Sequence, residues 1–352
     1  MARVAIGLDI GTTAVRAAEL RGKEEPTLVR FAQLSLPGGA INAGEIAEPE
    51  AVAEAIRDLW RRGEFKTKQV AVAVENQNVI ARQVELPTMA EEELLGALQF
   101  QVQDYIPIAA EDAILDFLVL DEFTGEDDAP MMRVLAVAAQ REMVNATLDV
   151  VHRAGLDPVS VDMAPLAALR AIIDPEPLVI DEEPGAEAVV DIGGGVTTVL
   201  VHERGVPRFA RVLTAGGGDI TAALVSELGI SAEDAEAQKL STNLQPEGST
   251  VEPGAPTIIE QRARAFIDDV RRSVEYYQSQ AGTAEVTRVL LTGGGARLRR
   301  LPERLATALR LPVEEANAFS RITVGDLGLS DEQLEQVRAV GAIAIGLALE
   351  GS

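Results

Sequence analysis

Two short segments of this chain place aspartate, glycine and threonine in the same order. The first is Asp9-Ile10-Gly11-Thr12-Thr13, and the second is Asp191-Ile192-Gly193-Gly194-Gly195-Val196-Thr197. Each follows an apolar run rich in β-branched residues and precedes another, which predicts a strand, a tight turn and a returning strand. Glycine lets backbone N–H groups approach an anion closely, and threonine adds a hydroxyl donor. Two such turns in one chain predict a site that clamps a polyphosphate.

The aspartates of these segments need a separate explanation, because a carboxylate and a phosphate repel one another. Mg²⁺ usually keeps several of its waters when it binds to a protein, and it takes few protein carboxylates. Asp9 and Asp191 are therefore predicted to orient Mg²⁺ through its bound water.

The composition argues against several other kinds of site. The chain has 352 residues and a net charge of −25, which disfavours nucleic-acid binding because that depends on clustered Lys and Arg. It has no cysteine and two histidines, so thiolate chemistry is excluded and a multi-histidine metal site is disfavoured. The first residues lead directly into a strand, and no apolar run approaches the ~18 residues of a membrane span. We expect a cytoplasmic protein that reaches a membrane only through partners.

The elements around the two turns repeat and predict a duplicated α/β fold. The first half is expected to contain strands at 4–10, 14–20 and 28–36, a helix at 49–62 and a strand at 69–74. The second half is expected to contain strands at 188–192, 196–201 and 208–213, a helix at 220–228 and a strand at 288–291. Each half is thus of βββα type followed by a strand, and the cleft for the polyphosphate would lie between the halves.

An insertion interrupts each half at a different place. The first half is predicted to span 1–180, with its core at 1–83 and 163–180 and a small β-α-β-β-α subdomain at about 84–162. In that subdomain Thr88 and Glu91 have the spacing of a capping box at a helix start. The second half is predicted to span 186–352, with a helical insertion at about 231–284. Helices at 163–173 and 340–349 are rich in small residues, which suits either close crossing between the halves or an ordinary core.

Two further segments complete the pattern, and with them the chain resembles the actin-like ATPase superfamily. They are Leu291-Thr292-Gly293-Gly294-Gly295-Ala296-Arg297 and Ala235-Glu236-Ala237-Gln238-Lys239. The resemblance implies that the glycines of the first segment contact the adenosine and α-phosphate side of ATP. It also implies that Glu236 and Lys239 lie near the ribose, although Glu-x-x-Lys is common on solvated helices. Gly216-Gly217-Gly218 could either approach phosphate or form a structural loop.

Within the superfamily the chain resembles the PilM family of type IV pilus assembly proteins, whose architecture is related to that of FtsA. The resemblance is carried by Glu85-Leu86-Pro87-Thr88-Met89, Glu91-Glu92-Glu93-Leu94, Tyr105-Ile106-Pro107, Asp116-Phe117 and Val270-Arg271-Arg272-Ser273-Val274-Glu275-Tyr276-Tyr277. FtsA-like chains continue into a C-terminal amphipathic membrane helix, whereas this sequence is expected to stop after its crossing helix.

The resemblance implies an ATP-binding adaptor at the inner face of the cytoplasmic membrane. Its partner would be the N-terminal cytoplasmic peptide of the inner-membrane protein PilN, and other pilus assembly components could also bind. The peptide groove would lie between the core of the first half and the inserted subdomain, near 69–74 and 84–120. Recognition would use either a helix in a groove or strand addition.

One departure from the superfamily bears on catalysis. Efficient members place a polar residue on the first crossing helix to orient water, and only Asp162 could serve here. An N-cap role for Asp162 is the simpler expectation, so no catalytic residue is assigned and ATP hydrolysis is expected to be slow or absent. Two alternatives remain open, namely a filament-forming protein of the FtsA or MreB type and a small-molecule kinase on the same fold.

Overall fold

The computed structural model describes residues 4–101, 108–109, 111–125, 128–174, 185–246, 248–249, 251–280 and 283–350. In chain order the strands are β1 (Val4–Ile10), β2 (Ala14–Arg21), β3 (Thr27–Ser35), β4 (Ile41–Asn42), β5 (Glu45–Ile46), β6 (Gln69–Val74), β7 (Val79–Pro87), β8 (Ala113–Thr124), β9 (Pro130–Gln140), β10 (Asp157–Met163), β11 (Ala186–Ile192), β12 (Thr197–Glu203), β13 (Val206–Leu213), β14 (Val286–Thr292), β15 (Val313–Glu315) and β16 (Thr323–Val324). The helices are α1 (Pro49–Arg62), α2 (Glu91–Gln101), α3 (Arg141–Arg153), α4 (Ala164–Ile172), α5 (Gly217–Leu228), α6 (Ala232–Ser241), α7 (Ala255–Gln278), α8 (Leu301–Leu309), α9 (Asp331–Val340) and α10 (Ala342–Glu350).

Two large sheets form within the described residues, and they confirm the predicted α/β duplication. The first sheet has the order β10-β6-β1-β2-β3-β16, and the second has the order β15-β14-β11-β12-β13-β7-β9-β8. In each half an antiparallel hairpin, β1–β2 or β11–β12, is followed by a third antiparallel strand, a helix and a parallel strand. The segment Tyr105-Ile106-Pro107, which supported the sequence resemblance, lies outside the described residues.

Strand alternation decides which side chains face the space between the halves, because successive side chains point to opposite faces of a sheet. In the first sheet Ile6 and Leu8 pack against α1, whereas Ala18 and Leu20 pack against α4 and α10. Asp9 has the opposite parity to Leu8, so it lies on the face that carries α4 and α10. The same alternation puts Asp191 on the face of Val189, which packs against those helices from the second sheet.

The two crossing helices contact each other closely, as their small residues suggested. A β-carbon on Gly346 of α10 would overlap the carbonyl of Ala167 in α4, and one on Gly7 of β1 would overlap Ala344. Side chains from both sheets, such as Leu20 and Leu200, share one apolar cluster with α4 and α10. These two helices therefore join the halves through a common core rather than packing within one half.

The inserted segment differs from its predicted extent, because its last predicted portion belongs to the first sheet. β10 pairs in parallel with β6, with Asp162 opposite Ala73, and α3 packs against α1. β7 pairs with β9 from Val79 to Pro87 instead of with the first sheet. We therefore propose that the inserted subdomain is the segment 79–140, and we use the name in that sense below.

Two expected helix caps are wrong. α2 begins at Glu91 instead of Thr88, because the Thr88 N–H donates to the carbonyl of Pro130 (3.0 Å) and so extends the β7–β9 pairing. Asp162 lies in β10, and the residue that precedes α4 is Met163. The carboxylate of Asp162 accepts the Met163 N–H (2.7 Å) and pairs with Arg170 (2.9 Å), so it stabilises the strand-to-helix junction from outside the helix.

The inserted subdomain also contacts the second half. β7 lies next to β13, with Ala81 opposite Ala210. Nη1 of Arg82 donates to the Tyr276 hydroxyl (2.8 Å) on α7, and Arg208 of β13 pairs with Asp121 of β8 (3.0 Å). The second sheet thus continues from the second half into a subdomain whose chain comes from the first.

The buried side chain of His202 makes the stability of the fold depend on pH. It is 1% exposed, its Nδ1 accepts the Gly205 N–H (3.1 Å), and its Nε2 lies 3.6 Å from the carboxylate of Glu187. Burial lowers the pKa of His202 to about 4, with Glu187 opposing that shift and Arg288 adding to it. The unfolded chain binds a proton as pH falls below about 6.5, whereas the folded chain does not until about pH 4.

We therefore expect stability contributed by neutral His202 to be complete above about pH 6.5 and to be lost as pH falls toward 4. At pH 5 the loss should be about 2 kcal/mol relative to pH 7.5. Urea unfolding measures the free energy of unfolding at both pH values. Its decrease from pH 7.5 to pH 5 should be correspondingly smaller for His202→Asn than for the parent chain. Equal decreases in the two proteins would contradict this assignment.

Candidate functional site

The two predicted phosphate turns face one another across the gap between the halves. Each turn is closed by a backbone hydrogen bond, from Gly11 to Ala14 (3.1 Å) or from Gly193 to Val196 (2.9 Å). A β-carbon on Gly194 would lie 2.5 Å from Cγ2 of Thr13. Similarly, a β-carbon on Gly195 would lie 2.8 Å from Cγ2 of Thr12. Side chains at either glycine would therefore push the turns apart.

The threonine hydroxyls of the turns have different surroundings. Oγ1 of Thr12 is inaccessible to solvent and has no hydrogen-bond partner among the described residues. A buried hydroxyl without a partner is unfavourable unless a ligand supplies one. Thr197, in contrast, donates its hydroxyl to the carbonyl of Ala215 (2.7 Å). Thr12 therefore has a free donor for an anion, whereas the expected donor role of Thr197 does not fit this geometry.

The three glycines at the start of α5 support the second turn instead of presenting N–H groups to an anion. The N–H of Gly217 donates to the carbonyl of Gly193 (2.9 Å), and that of Gly218 donates to Gly194 (2.7 Å). A β-carbon on Gly216 would lie 2.5 Å from the Gly194 carbonyl oxygen. Of the two alternatives left by the sequence, the geometry favours the structural loop.

The third glycine turn follows β14 and lies directly beside the second. Gly293 has φ 88° and ψ 162°, a backbone region essentially restricted to glycine. A β-carbon there would overlap the carboxylate of Asp191, and one on Gly295 would overlap Ile192. Gly294 is exposed, and a β-carbon on it would have Val340 as its nearest neighbour, at 3.9 Å. The position of the Asp191 carboxylate thus depends on the backbone conformation of Gly293.

Lys239 is not on a solvated helix face. It is 8% exposed, and its Nζ donates to the carbonyl of Gly217 (3.0 Å) and the hydroxyl of Thr221 (3.0 Å). Glu236 accepts from both Lys239 (2.7 Å) and Thr221 (2.7 Å) while its side chain remains 46% exposed. This network fixes α6 against the start of α5, next to the second and third glycine turns.

Four charged groups converge where the two halves meet. Asp9 is 5% exposed and pairs with Arg16 (3.0 Å), and Asp191 is 7% exposed. Burial raises the pKa of both aspartates; the charge of Asp9 raises that of Asp191 further, and Arg16 opposes both shifts. The pKa of Glu75 is raised well above its usual range by burial and then by the charges of Asp191 and Asp9. Carboxylates in this environment favour a neighbouring cation.

Arg16 and Glu75 were not among the site residues predicted from the sequence. Arg16 lies directly opposite Asp9 in the β1–β2 register, so a cation on the returning strand was the available signal. Glu75 comes one residue after β6, the strand parallel to β1. Carboxyl ends of parallel strands share one sheet edge, and an acid at that end was the second signal.

The arrangement fits Mg²⁺ together with a polyphosphate. Within the described residues no three His, Asp or Glu side chains converge closely enough to ligate a metal directly. Mg²⁺ usually keeps most of its waters, so the carboxylates of Asp9 and Asp191 would hold it mainly through water. The unpartnered Thr12 hydroxyl between the turns supplies a donor for a phosphate oxygen.

A second candidate site is a groove of about 620 Å³ between the inserted subdomain and α4. The charged residues that line it are Asp116, Asp162, Arg170, Arg321 and Glu350. It touches both regions expected to form a peptide groove, and its apolar walls comprise Val74, Ile114, Phe117, Leu118, Val137, Ala139, Val144, Val161, Met163, Leu166, Leu169 and Ile173.

Comparison with known families identifies the chain. A sequence model of the family described as type IV pilus assembly protein PilM matches residues 7–352. The chain belongs to the PilM family. A solved structure described as a PilM–PilN type IV pilus biogenesis complex has 29% identity and a TM-score of 0.83, over 99% of this chain and 98% of that one. That PilM structure and this chain therefore share the fold over nearly their whole lengths.

More distant relatives show that this PilM chain has the wider actin-like fold. FtsA of Bacillus subtilis is 26% identical over 259 residues, which are 66% of this chain and 57% of FtsA. FtsA of Neisseria meningitidis is 24% identical over 66% of this chain and 60% of FtsA. The chain thus spans about three fifths of these relatives. MreB5 of Spiroplasma citri bound to ADP matches at 14% identity and a TM-score of 0.50, over 98% of this chain and 94% of that one.

No helix among the described residues of this PilM chain combines the length and apolar character needed to cross a membrane.

Proposed function

We propose that this chain is an ATP-binding adaptor of type IV pilus assembly that holds the N-terminal cytoplasmic peptide of PilN. The groove of about 620 Å³ carries the proposal, because its lining is largely apolar and includes a few charged side chains. Such a groove can bury apolar peptide side chains and fix their orientation by a few polar contacts. The similarity to a structure described as a PilM–PilN complex supports PilN as the occupant.

The nucleotide site is proposed from the three glycine turns and the charged groups between them. Gly11, Thr12 and Thr13 would contact the terminal phosphates from one side, and Gly193, Gly194 and Gly195 from the other. Gly293, Gly294 and Gly295 would face the adenosine side, and Glu236 and Lys239 would support it through α5. Asp9 and Asp191 would hold hydrated Mg²⁺.

Hydrolysis is expected to be slow or absent. The first turn of α4 is Ala164-Pro165-Leu166, which offers no polar side chain to orient attacking water. Asp162, the remaining acid near that helix start, already pairs with Arg170 (2.9 Å). Phosphoryl transfer depends on such positioning, so the nucleotide is proposed to act mainly by favouring one arrangement of the two halves.

PilN binding would place the protein at the inner face of the cytoplasmic membrane, where other pilus assembly components could join it. The test is calorimetric titration with a peptide of the N-terminal cytoplasmic residues of the PilN encoded by the same organism, with and without ATP and Mg²⁺. Saturable binding at micromolar concentration or tighter is expected. Absence of binding in both nucleotide conditions would reject the adaptor assignment.

The FtsA similarity supports a second candidate, a filament-forming protein. Sedimentation with ATP and Mg²⁺ distinguishes it, because filaments would pellet and an adaptor would remain in the supernatant.

A further inference from the structure

Asp116 lines the groove from the wall that the inserted subdomain supplies. Within the described residues its strand, β8, pairs with β9 alone and is therefore the edge of the second sheet. The pairing of β8 with β9 is regular from Ala113 to Val119, so side chains alternate between the two faces there. Ile114 and Leu118 line the groove, and Asp116 lies between them with the same parity. The carboxylate of Asp116 therefore faces the groove.

The other charged side chains of the groove already have partners of opposite charge. The guanidinium of Arg170 lies 2.9 Å from the carboxylate of Asp162 and 4.0 Å from that of Glu350. Arg321 lies 3.5 Å from Asp174, and it also donates to the carbonyl of Arg170 (3.1 Å). The charges of these groups thus offset one another within the protein.

Asp116 differs, because no cationic side chain in the described part of the chain pairs with it. Its Oδ1 accepts the N–H of Phe117 (2.8 Å), which leaves Oδ2 available to a ligand. Asp116 is exposed in the free protein, so water solvates its carboxylate. A peptide that covers the groove would remove this water, and a desolvated charge without a partner is unfavourable. A peptide that offers a cation at this point would avoid the cost.

The chemistry of the proposed occupant meets this requirement. PilN is proposed to reach the groove through a short cytoplasmic segment, and cytoplasmic segments beside a membrane-spanning helix carry an excess of Lys and Arg. The net charge of −25 on this chain attracts a basic peptide over longer distances. A charge pair across an interface also fixes the register of the two partners.

We propose that Asp116 pairs with a cationic group of the bound peptide, namely a Lys or Arg side chain or the N-terminal ammonium. The inference rests on the proposed function and adds the charge that the groove selects in its occupant. The apolar walls would bind apolar peptide side chains without defining their order along the groove. The pair with Asp116 would fix that order, because it places one cation of the peptide beside one carboxylate of the protein.

Asp116→Asn tests the proposal, because the amide oxygen can still accept the Phe117 N–H while the charge is removed. Calorimetric titration with the PilN peptide should show binding about tenfold weaker than that of the parent chain. Added salt should weaken binding less in the variant than in the parent. Glu122→Gln removes an exposed carboxylate from the same strand outside the groove, and it should bind the peptide as the parent does.

Variant peptides identify the cation that Asp116 contacts. One peptide is acetylated at its N-terminus, and each of the others has a single Lys or Arg replaced by Gln. The parent chain and Asp116→Asn should bind the peptide that lacks the paired cation with equal affinity. With the remaining peptides the tenfold difference between the two proteins should persist. Acetylation that removes the difference identifies the N-terminal ammonium, and a single replacement that removes it identifies a side chain.

The outcomes separate this proposal from the function on which it rests. If the parent chain binds no peptide, the adaptor function is rejected and the proposal with it. If the parent and Asp116→Asn bind the unmodified peptide equally, the role of Asp116 is rejected and the groove stands. A difference that persists with every variant peptide would show that Asp116 acts without a peptide cation, which also overturns the proposal.

Discussion

The Gly293→Ala protein should bind ATP at least about tenfold more weakly than the parent chain and should melt at a lower temperature. The backbone of Gly293, at φ 88° and ψ 162°, lies in a region that costs residues other than glycine about 1–3 kcal/mol. The added methyl group would also overlap the carboxylate of Asp191 and the backbone of Ile192. The change would therefore displace an acid proposed to hold Mg²⁺ and the start of the second phosphate turn together.

Gly294→Ala is the matched control for this prediction. It adds the same methyl group to the next residue, where the nearest neighbour would be Val340 at 3.9 Å and φ is not positive. Thermal unfolding should give the parental melting temperature for Gly294→Ala, because its methyl group meets no close neighbour in the protein. PilN-peptide binding by Gly293→Ala would show that the rest of the fold survives. Parental ATP affinity in Gly293→Ala would contradict the close approach of the third turn to Asp191.

Val161→Glu should weaken binding of the PilN peptide by at least about tenfold. Val161 lines the groove from β10 and is 39% exposed, so a glutamate there can be solvated in the free protein. When an apolar peptide covers the groove, the new carboxylate would lose water without gaining a partner, which costs about 1–3 kcal/mol. Titration with the peptide measures the loss.

Val159→Glu provides the control on the same strand. Val159 lies two residues earlier on β10, is 59% exposed and does not line the groove. It introduces the same charge and the same loss of strand propensity, so it should bind the peptide as the parent does. Equal weakening by both substitutions would place the peptide elsewhere or make the effect a general consequence of added negative charge.

Local sequence signals predicted the phosphate turns and much of the duplicated scaffold. α1 has its predicted bounds because proline opens it at Pro49 and glycine follows it at Gly63, and both residues act within a few positions. The strands β1 and β6 likewise have their predicted bounds. Glycine, proline and β-branched runs impose these features before any long-range contact forms.

The features missed by the sequence analysis depend on partners far along the chain. Glu75 reaches the cleft because β6 lies beside β1 in parallel register. Arg16 reaches it because it lies opposite Asp9 on β2. Lys239 has the spacing of a solvated helix pair and is buried because α6 packs on α5. The segment of β10 was placed in the inserted subdomain and was not predicted as a strand of the first sheet. Its Val159 and Val161 are exposed, so the sequence shows no buried face by which to recognise an edge strand. None of these contacts follows from neighbouring residues alone.

The packing of α10 against β1 has a consequence for synthesis of the protein. Gly7 lies so close to Ala344 that one face of β1 is covered by α10, which is far from it in sequence. During translation all the residues between β1 and α10 must leave the ribosome before α10 can dock. Until then the apolar inner face of the first hairpin stays uncovered. A contact between residues so far apart in sequence slows folding, and the exposed apolar face favours aggregation. A nascent chain of this kind would benefit from chaperone protection until α10 emerges.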